Sequence, residues 1–95
     1  MVVTESLEGT INGELWYHYD LANDVLYVRR SSDRAVDTVS EETPDGLLLL
    51  RRADTDMVAG VTVVNWWKRF GTGRLPDSLR ELEQRIEPWG QKVAA

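Results

Sequence analysis

Along most of the chain, apolar residues alternate with polar ones or gather in short runs, the spacing of strands. Only near the end do they recur every three and four residues, as on one side of a helix. Residues 1–13 are polar, contain Gly9 and Gly13, and predict a loose start with at most one short strand. Leu15-Trp16-Tyr17-His18-Tyr19 predicts a strand, with Leu15, Tyr17 and Tyr19 on one side and Trp16 and His18 on the other. Asp20 to Asp24 is a hairpin turn, because Asp and Asn side chains bond nearby backbone amides. Val25-Leu26-Tyr27-Val28-Arg29 is the second strand, and its unbroken apolar run predicts a central position.

Ser31-Ser32-Asp33-Arg34 forms the next turn, and the polar stretch Ala35 to Glu41 suits an edge strand. Glu42-Thr43-Pro44-Asp45-Gly46 breaks the pattern; Leu47 to Leu50 then predicts a buried strand, closed by an acidic turn through Asp56. Met57 to Asn65 is rich in valine and predicts the fifth strand, with Gly60 marking a bulge or a close backbone approach. Trp66 to Phe70 reads as the end of that strand, which would send Trp66 and Trp67 to opposite sides. A helix is expected over about 76–87: Ser78 and Glu81 make a capping box, Leu79, Leu82 and Ile86 form one stripe, and Pro88 stops it. Gln91 to Ala95 is expected to fray. The predicted architecture is α+β: a five-stranded antiparallel meander, neighbours paired in order, with one short C-terminal helix on one face. One such helix cannot cover five strands, so the other face is either polar or covered by another chain.

Composition narrows the chemistry. The chain has 95 residues, enough for one domain over 1–95 with a modest core. It has no Cys and one His, which excludes disulfides, thiolate chemistry and a multi-histidine metal site. Its net charge of −5 argues against general nucleic-acid binding, which needs an accumulated positive patch. Arg51-Arg52 and Lys68-Arg69 with Arg74 read as solvated charge. No long apolar run exists to span a membrane, and Met1 to Glu8 shows no signal-peptide pattern.

The stretch Tyr19-Asp20-Leu21-Ala22-Asn23-Asp24-Val25-Leu26-Tyr27-Val28-Arg29 resembles the mark of the YuzE-like family of small bacterial proteins. That mark is a Tyr-Asp pair, a short turn, an Asp, and an apolar-Leu-Tyr-Ile/Val strand with Arg soon after. The later positions Asp45-Gly46-Leu47, Asp54 to Asp56 and Gly60-Val61 extend the resemblance, which covers about 15–65. The acidic turn lacks the Gly often found there. The resemblance implies the meander and a bacterial, cytoplasmic setting. It carries no activity to any residue, though some members resemble antitoxin-like partner subunits. Tyr19, Asp20, Asp24, Leu26, Tyr27 and Arg29 are therefore read as fold signature.

Individual residues add little catalytic signal. His18 is a candidate general base, but Ser31 and Ser32 sit in a turn without a nucleophile motif. Asp20, Asn23 and Asp24 lack the spacing of a calcium loop, and Asp54 and Asp56 lack a third ligand. Gly71-Thr72-Gly73 lacks the Lys-Ser/Thr of a phosphate loop. No enzyme, cofactor or metal is expected. The feature singled out is aromatic: Trp66, Trp67, Phe70 and Trp89 are candidate interface anchors, since Trp favours interface centres. The expected function is a non-catalytic protein-binding or homodimerising module. The alternative is a small-ligand binder whose aromatic pocket uses Trp16, Tyr19 or Trp89.

Overall fold

Alternation of buried and exposed positions carries the chain through six strands: β1 (Ser6–Ile11), β2 (Leu15–Asp20), β3 (Val25–Arg30), β4 (Thr38–Glu42), β5 (Leu48–Arg52) and β6 (Val58–Val64). Two helices follow, α1 (Trp66–Phe70) and α2 (Leu79–Ala94). The computed structural model describes residues 6–76 and 78–94. The expected loose start therefore lies outside the described residues over 1–5, as do Asp77 at the approach to α2 and Ala95 in the expected frayed end.

All strand pairs are antiparallel, in the order β1-β2-β3-β6-β5-β4. The α+β class is as expected, with two corrections: there are six strands, and they do not pair strictly in sequence. β6 takes the place beside β3, and β4 lies at the far edge. Burial explains the exchange. β6 is hidden over Ala59–Val63 and needs neighbours on both sides, whereas β4 is exposed over Val39–Glu42 and tolerates an edge. The strand at the start of the chain is β1, whose Leu7 and Ile11 pack against the core.

One side of the sheet holds the core. Leu15, Tyr17 and Tyr19 of β2, Leu26 and Val28 of β3, and Val61 and Val63 of β6 meet Leu82, Ile86, Trp89 and Val93 of α2. The alternation within β2 is as expected: Trp16 and His18 point to the opposite, open side. β3 is central but alternates too, with Leu26 and Val28 buried and Tyr27 half-buried on the open side.

Pro88 does not stop α2, which continues to Ala94. A mid-helix proline costs about 3 kcal/mol, through a lost amide and a clash with the preceding turn. Continuing the helix buries Trp89 and Val93, on the same stripe as Leu82 and Ile86. Each such side chain contributes about 1.5–3 kcal/mol or more, enough to offset the proline. Gly90 lets this part of the helix approach β2, for a Cβ there would run into the Leu15 side chain. At the start of α2, Ser78 Oγ accepts from the Glu81 amide at 3.4 Å, the first half of the expected capping box.

Gly60 combines both expected roles. The β5–β6 register shifts between Leu50 and Arg51, beside the Leu50–Gly60 pair, and a Cβ on Gly60 would meet the Val28 carbonyl oxygen.

Candidate functional site

Trp66 and Trp67 are not the end of a strand. A left-handed Asn65, with φ 56°, turns the chain out of the sheet, and both tryptophans open α1. Adjacent helical residues diverge by about 100° rather than 180°. Trp66 is accordingly buried against Tyr19, ring centroids 5.0 Å apart, while Trp67 lies half-buried beside it at 5.5 Å. Trp89 is also a core residue, and Phe70 packs edge-on to it at 4.7 Å. Of the four candidate anchors, then, Trp66 and Trp89 are internal to this chain, and only Trp67 and Phe70 retain open surface. Phe70 is partly shielded as well, by the Arg69 guanidinium 4.8 Å from its ring centroid. That guanidinium bonds the Asp45 and Gly46 carbonyls and so fastens α1 to the β4–β5 turn. The Trp67 indole donates to the Gly73 carbonyl at 2.9 Å, which folds the Gly71-Thr72-Gly73 loop onto the ring.

Of the residues read as fold signature, Tyr19 and Asp24 meet at the start of α1, whereas Tyr27 and Arg29 lie on the open side of the sheet. Asp24 Oδ1 accepts from the Tyr19 hydroxyl at 2.6 Å and from the Trp67 amide at 2.9 Å. Its Oδ2 accepts from the Lys68 amide at 3.0 Å, and its backbone carbonyl takes the Trp66 amide at 3.0 Å. A residue 43 positions upstream thus caps the helix. Burial opposes ionisation of Asp24. The Tyr19 hydroxyl, the two amides and the Lys68 charge outweigh it and hold the carboxyl below its ordinary value. Burial, the bond to Asp24 and the charges of Asp24 and Asp20 push the Tyr19 hydroxyl up. Asp20 instead closes its own turn: its Oδ2 accepts from Asn23 Nδ2 at 2.8 Å. Leu26 is core. These positions build structure, and Asp20, Asn23 and Asp24 do not assemble as a ligand set. Asp54 forms a two-pronged pair with Arg52, at 2.9 and 2.7 Å, which pulls its carboxyl down. Arg52 also reaches the buried Asp33 at 2.7 Å. No group of three His, Cys, Asp or Glu positioned to hold a metal ion occurs among the described residues.

The open side of the sheet carries a different constellation. Register places Glu8, His18, Tyr27 and Thr62 in one row across β1, β2, β3 and β6, with Thr10, Trp16, Arg29 and Gly60 in the next row but one. Here Trp16, His18, Tyr27, Arg29 and Arg34 line an open groove of about 480 Å³, within the roughly 300–1,000 Å³ of small-molecule sites. The rings are contiguous: Trp16 stacks beside His18 at 6.1 Å, and His18 meets Tyr27 at 5.8 Å. The loop after β3 supplies Arg34, whose guanidinium lies 4.7 Å from the Trp16 ring centroid. Glu8 Oε1 holds this corner, accepting from Trp16 Nε1 at 2.7 Å and from Arg34 Nη2 at 2.6 Å. Arg29 Nη1 donates to the Arg34 carbonyl at 3.2 Å. Trp16, His18 and Tyr27 were legible in the sequence as residues, but Arg34 and Glu8 join them only through register and loop path. Alternation could have signalled Glu8; nothing in the local pattern signals Arg34.

A second hollow of about 450 Å³ lies at the strand ends, lined by Gly13, Glu14, Leu15, Arg30, Ser31 and Ser32. Ser31 and Ser32 face it rather than His18, so the fold does not bring these hydroxyls to the histidine. Arg30 in this hollow is engaged with the Val93 carbonyl at 3.3 Å. No helix among the described residues is long and apolar enough to cross a membrane. Comparison with protein-family models, curated proteins and solved structures returns no match.

Proposed function

We propose that this chain is a non-catalytic binding module whose working surface is the open side of its sheet. The observation that carries the reading is the groove formed by Trp16, His18, Tyr27, Arg29 and Arg34. Its rings stand on β2 and β3, whose other sides are packed into the core, so the surface is preorganised. Aromatic side chains offer a large contact area with few rotors to immobilise. His18 serves here as one ring of a row, and the groove presents shape and charge rather than a base bonded to a nucleophile. Of the residues expected for an aromatic pocket, Trp16 belongs to it, whereas Tyr19 and Trp89 support the core. A cytoplasmic setting and membership of the YuzE-like family are parts of the same reading, resting on the resemblance over 15–65.

The test is an NMR screen of several hundred aromatic fragments against the isotope-labelled chain. Hits that shift the Trp16 indole, His18, Tyr27 and Arg29 signals together support the reading. A screen without hits there, or with hits confined elsewhere, overturns it.

A second reading, a homodimer, is favoured by one observation. Val39 on the edge strand β4 is 61% exposed, because α2 covers β3 and β6 and leaves that end of the core side bare. Strand pairing between two β4 edges would cover it. Light scattering over a concentration series tests this: mass doubling that Val39→Asp abolishes supports the dimer, and a monomeric mass throughout excludes it.

A further inference from the structure

We infer that the open-side groove selects small ligands that combine a planar ring with an anionic group, a phosphate or a carboxylate, and that Arg29 is the anion anchor. This rests on the groove being a binding site. It adds the chemical class and the residue that imposes it.

Of the two arginines lining the groove one is ion-paired and one is not, although three arginines on and around this sheet show how readily carboxylates are engaged there. Arg34 meets Glu8 at 2.6 Å, Arg51 meets Glu41 at 3.6 Å, and Arg52 meets Asp33 and Asp54, both at 2.7 Å. Arg29 has no carboxylate partner among the described residues, though it is half-buried and lines the groove. Its one hydrogen bond goes to a neutral acceptor, the Arg34 carbonyl. That bond positions the guanidinium without neutralising it. A guanidinium carries five N–H donors in a planar fork that fits a carboxylate or phosphate. Most of that fork is uncommitted.

Gly60 supplies a second, independent support. It is the β6 residue paired with Arg29, and a Cβ there would lie 2.7 Å from Arg29 Cγ. The missing side chain gives the Arg29 stem room to lie across the neighbouring strand. The ring row begins on the same strand: Tyr27 precedes Arg29 by two residues and shares its side of the sheet, and His18 and Trp16 continue the row on β2. A ligand ring on this row has its anionic substituent within reach of Arg29.

The groove's charge also sets the ligand's size. A polynucleotide needs several cations to displace its counterions. This groove offers one uncompensated cation, on a chain of net charge −5. The fit is to a small monoanion or dianion.

The experiment titrates the labelled full chain with AMP and CMP, with adenosine and cytidine as neutral rings, and with benzoate, benzamide and inorganic phosphate. Expected are groove shifts with AMP, CMP or benzoate at least tenfold tighter than with the matching neutral ring or phosphate alone. Arg29→Gln is expected to erase that advantage, so that AMP and adenosine bind the variant with equal affinity. Arg29→Lys, which keeps the charge and loses the fork, is expected to retain part of it. Nucleotide affinity without benzoate affinity would identify phosphate as the anion; the reverse would identify carboxylate. If neutral rings shift the groove signals as strongly as the anions, or if Arg29→Gln changes nothing, the anion inference fails and the binding groove stands. If no ring compound shifts them, both fail. Tight, steeply salt-dependent binding of oligothymidylate would replace the small ligand with single-stranded nucleic acid.

Discussion

Replacing Asp24 tests whether one side chain joins the β2–β3 turn to α1. Three costs add in Asp24→Ala. The Trp67 and Lys68 amides lose the acceptor that caps them, a loss of about 0.5–2 kcal/mol for a helix cap. The Tyr19 hydroxyl, on a residue only 3% exposed, loses its partner, at about 1–3 kcal/mol. Alanine must also adopt the left-handed φ of 55° that aspartate tolerates, at about 1–2 kcal/mol. The expected total is about 2.5–7 kcal/mol, a large share of a small domain's stability. Asp24→Asn keeps the backbone preference and one amide oxygen, and is expected to lose less than half as much. Tyr19→Phe is expected to cost about 1 kcal/mol in the parent and nothing, or slightly less than nothing, in Asp24→Ala, where the hydroxyl is already orphaned. Urea unfolding followed by circular dichroism measures all four. The pH dependence gives a second reading. Because the folded Asp24 carboxyl is held below its ordinary 3.8, its contribution is complete above that value and is lost as the pH falls through the lower folded value. The gap between parent and Asp24→Asn should therefore narrow below pH 3.8. An Asp24→Ala cost under about 1 kcal/mol, or an equal Tyr19→Phe cost in both backgrounds, would refute the reasoning.

Other consequences follow from the packing. Tyr17, bonded to Glu83 at 2.7 Å, and Tyr19 are both raised, by burial first and then by their carboxylate partners, so each contributes stability below pH 10.0 that declines as the pH rises above it. Ultraviolet titration should show both ionising only with unfolding, and reversible ionisation in the folded chain would contradict this. Trp66→Ala is expected to cost about 3–5 kcal/mol as a core deletion, whereas Phe70→Ala, at a site 46% exposed, should cost well under half of that in the same denaturation series. Gly60→Ala places a methyl against the Val28 carbonyl and the Arg29 stem, and is expected to destabilise by about 1–3 kcal/mol. A neutral result would mean that β3 and β6 separate easily there. Leu15→Val shortens the side chain that a Cβ at residue 90 would meet, so Gly90→Ala should be better tolerated in that background than in the parent, as the same urea series would show.

Much of this protein is determined by local pattern. Period-two alternation set the side of the sheet on which Leu15, Tyr17, Tyr19, Trp16 and His18 fall, because a strand leaves no other choice. Breakers such as Asp20–Asp24 and Pro44–Gly46 placed the turns, and the polarity of β4 marked it as an edge. What the tertiary structure decided is everything that depends on partners distant in sequence. The exchange that seats β6 beside β3 follows from burial on both faces, and an apolar run gives a strand a central place without naming its neighbours. Trp66–Phe70 reads as strand by composition, and becomes helix because Asn65 turns left-handed and Asp24, distant in sequence but beside it in the β2–β3 turn, caps the amides. Pro88 carries a local stop signal that the burial of Trp89 and Val93 overrides. The groove is the strongest case. Its rings are local, but Glu8, Arg34 and the uncompensated charge of Arg29 meet only through strand register and a loop path. Charge pairing is a property of distances, and distances between residues far apart in the chain exist only once it is folded.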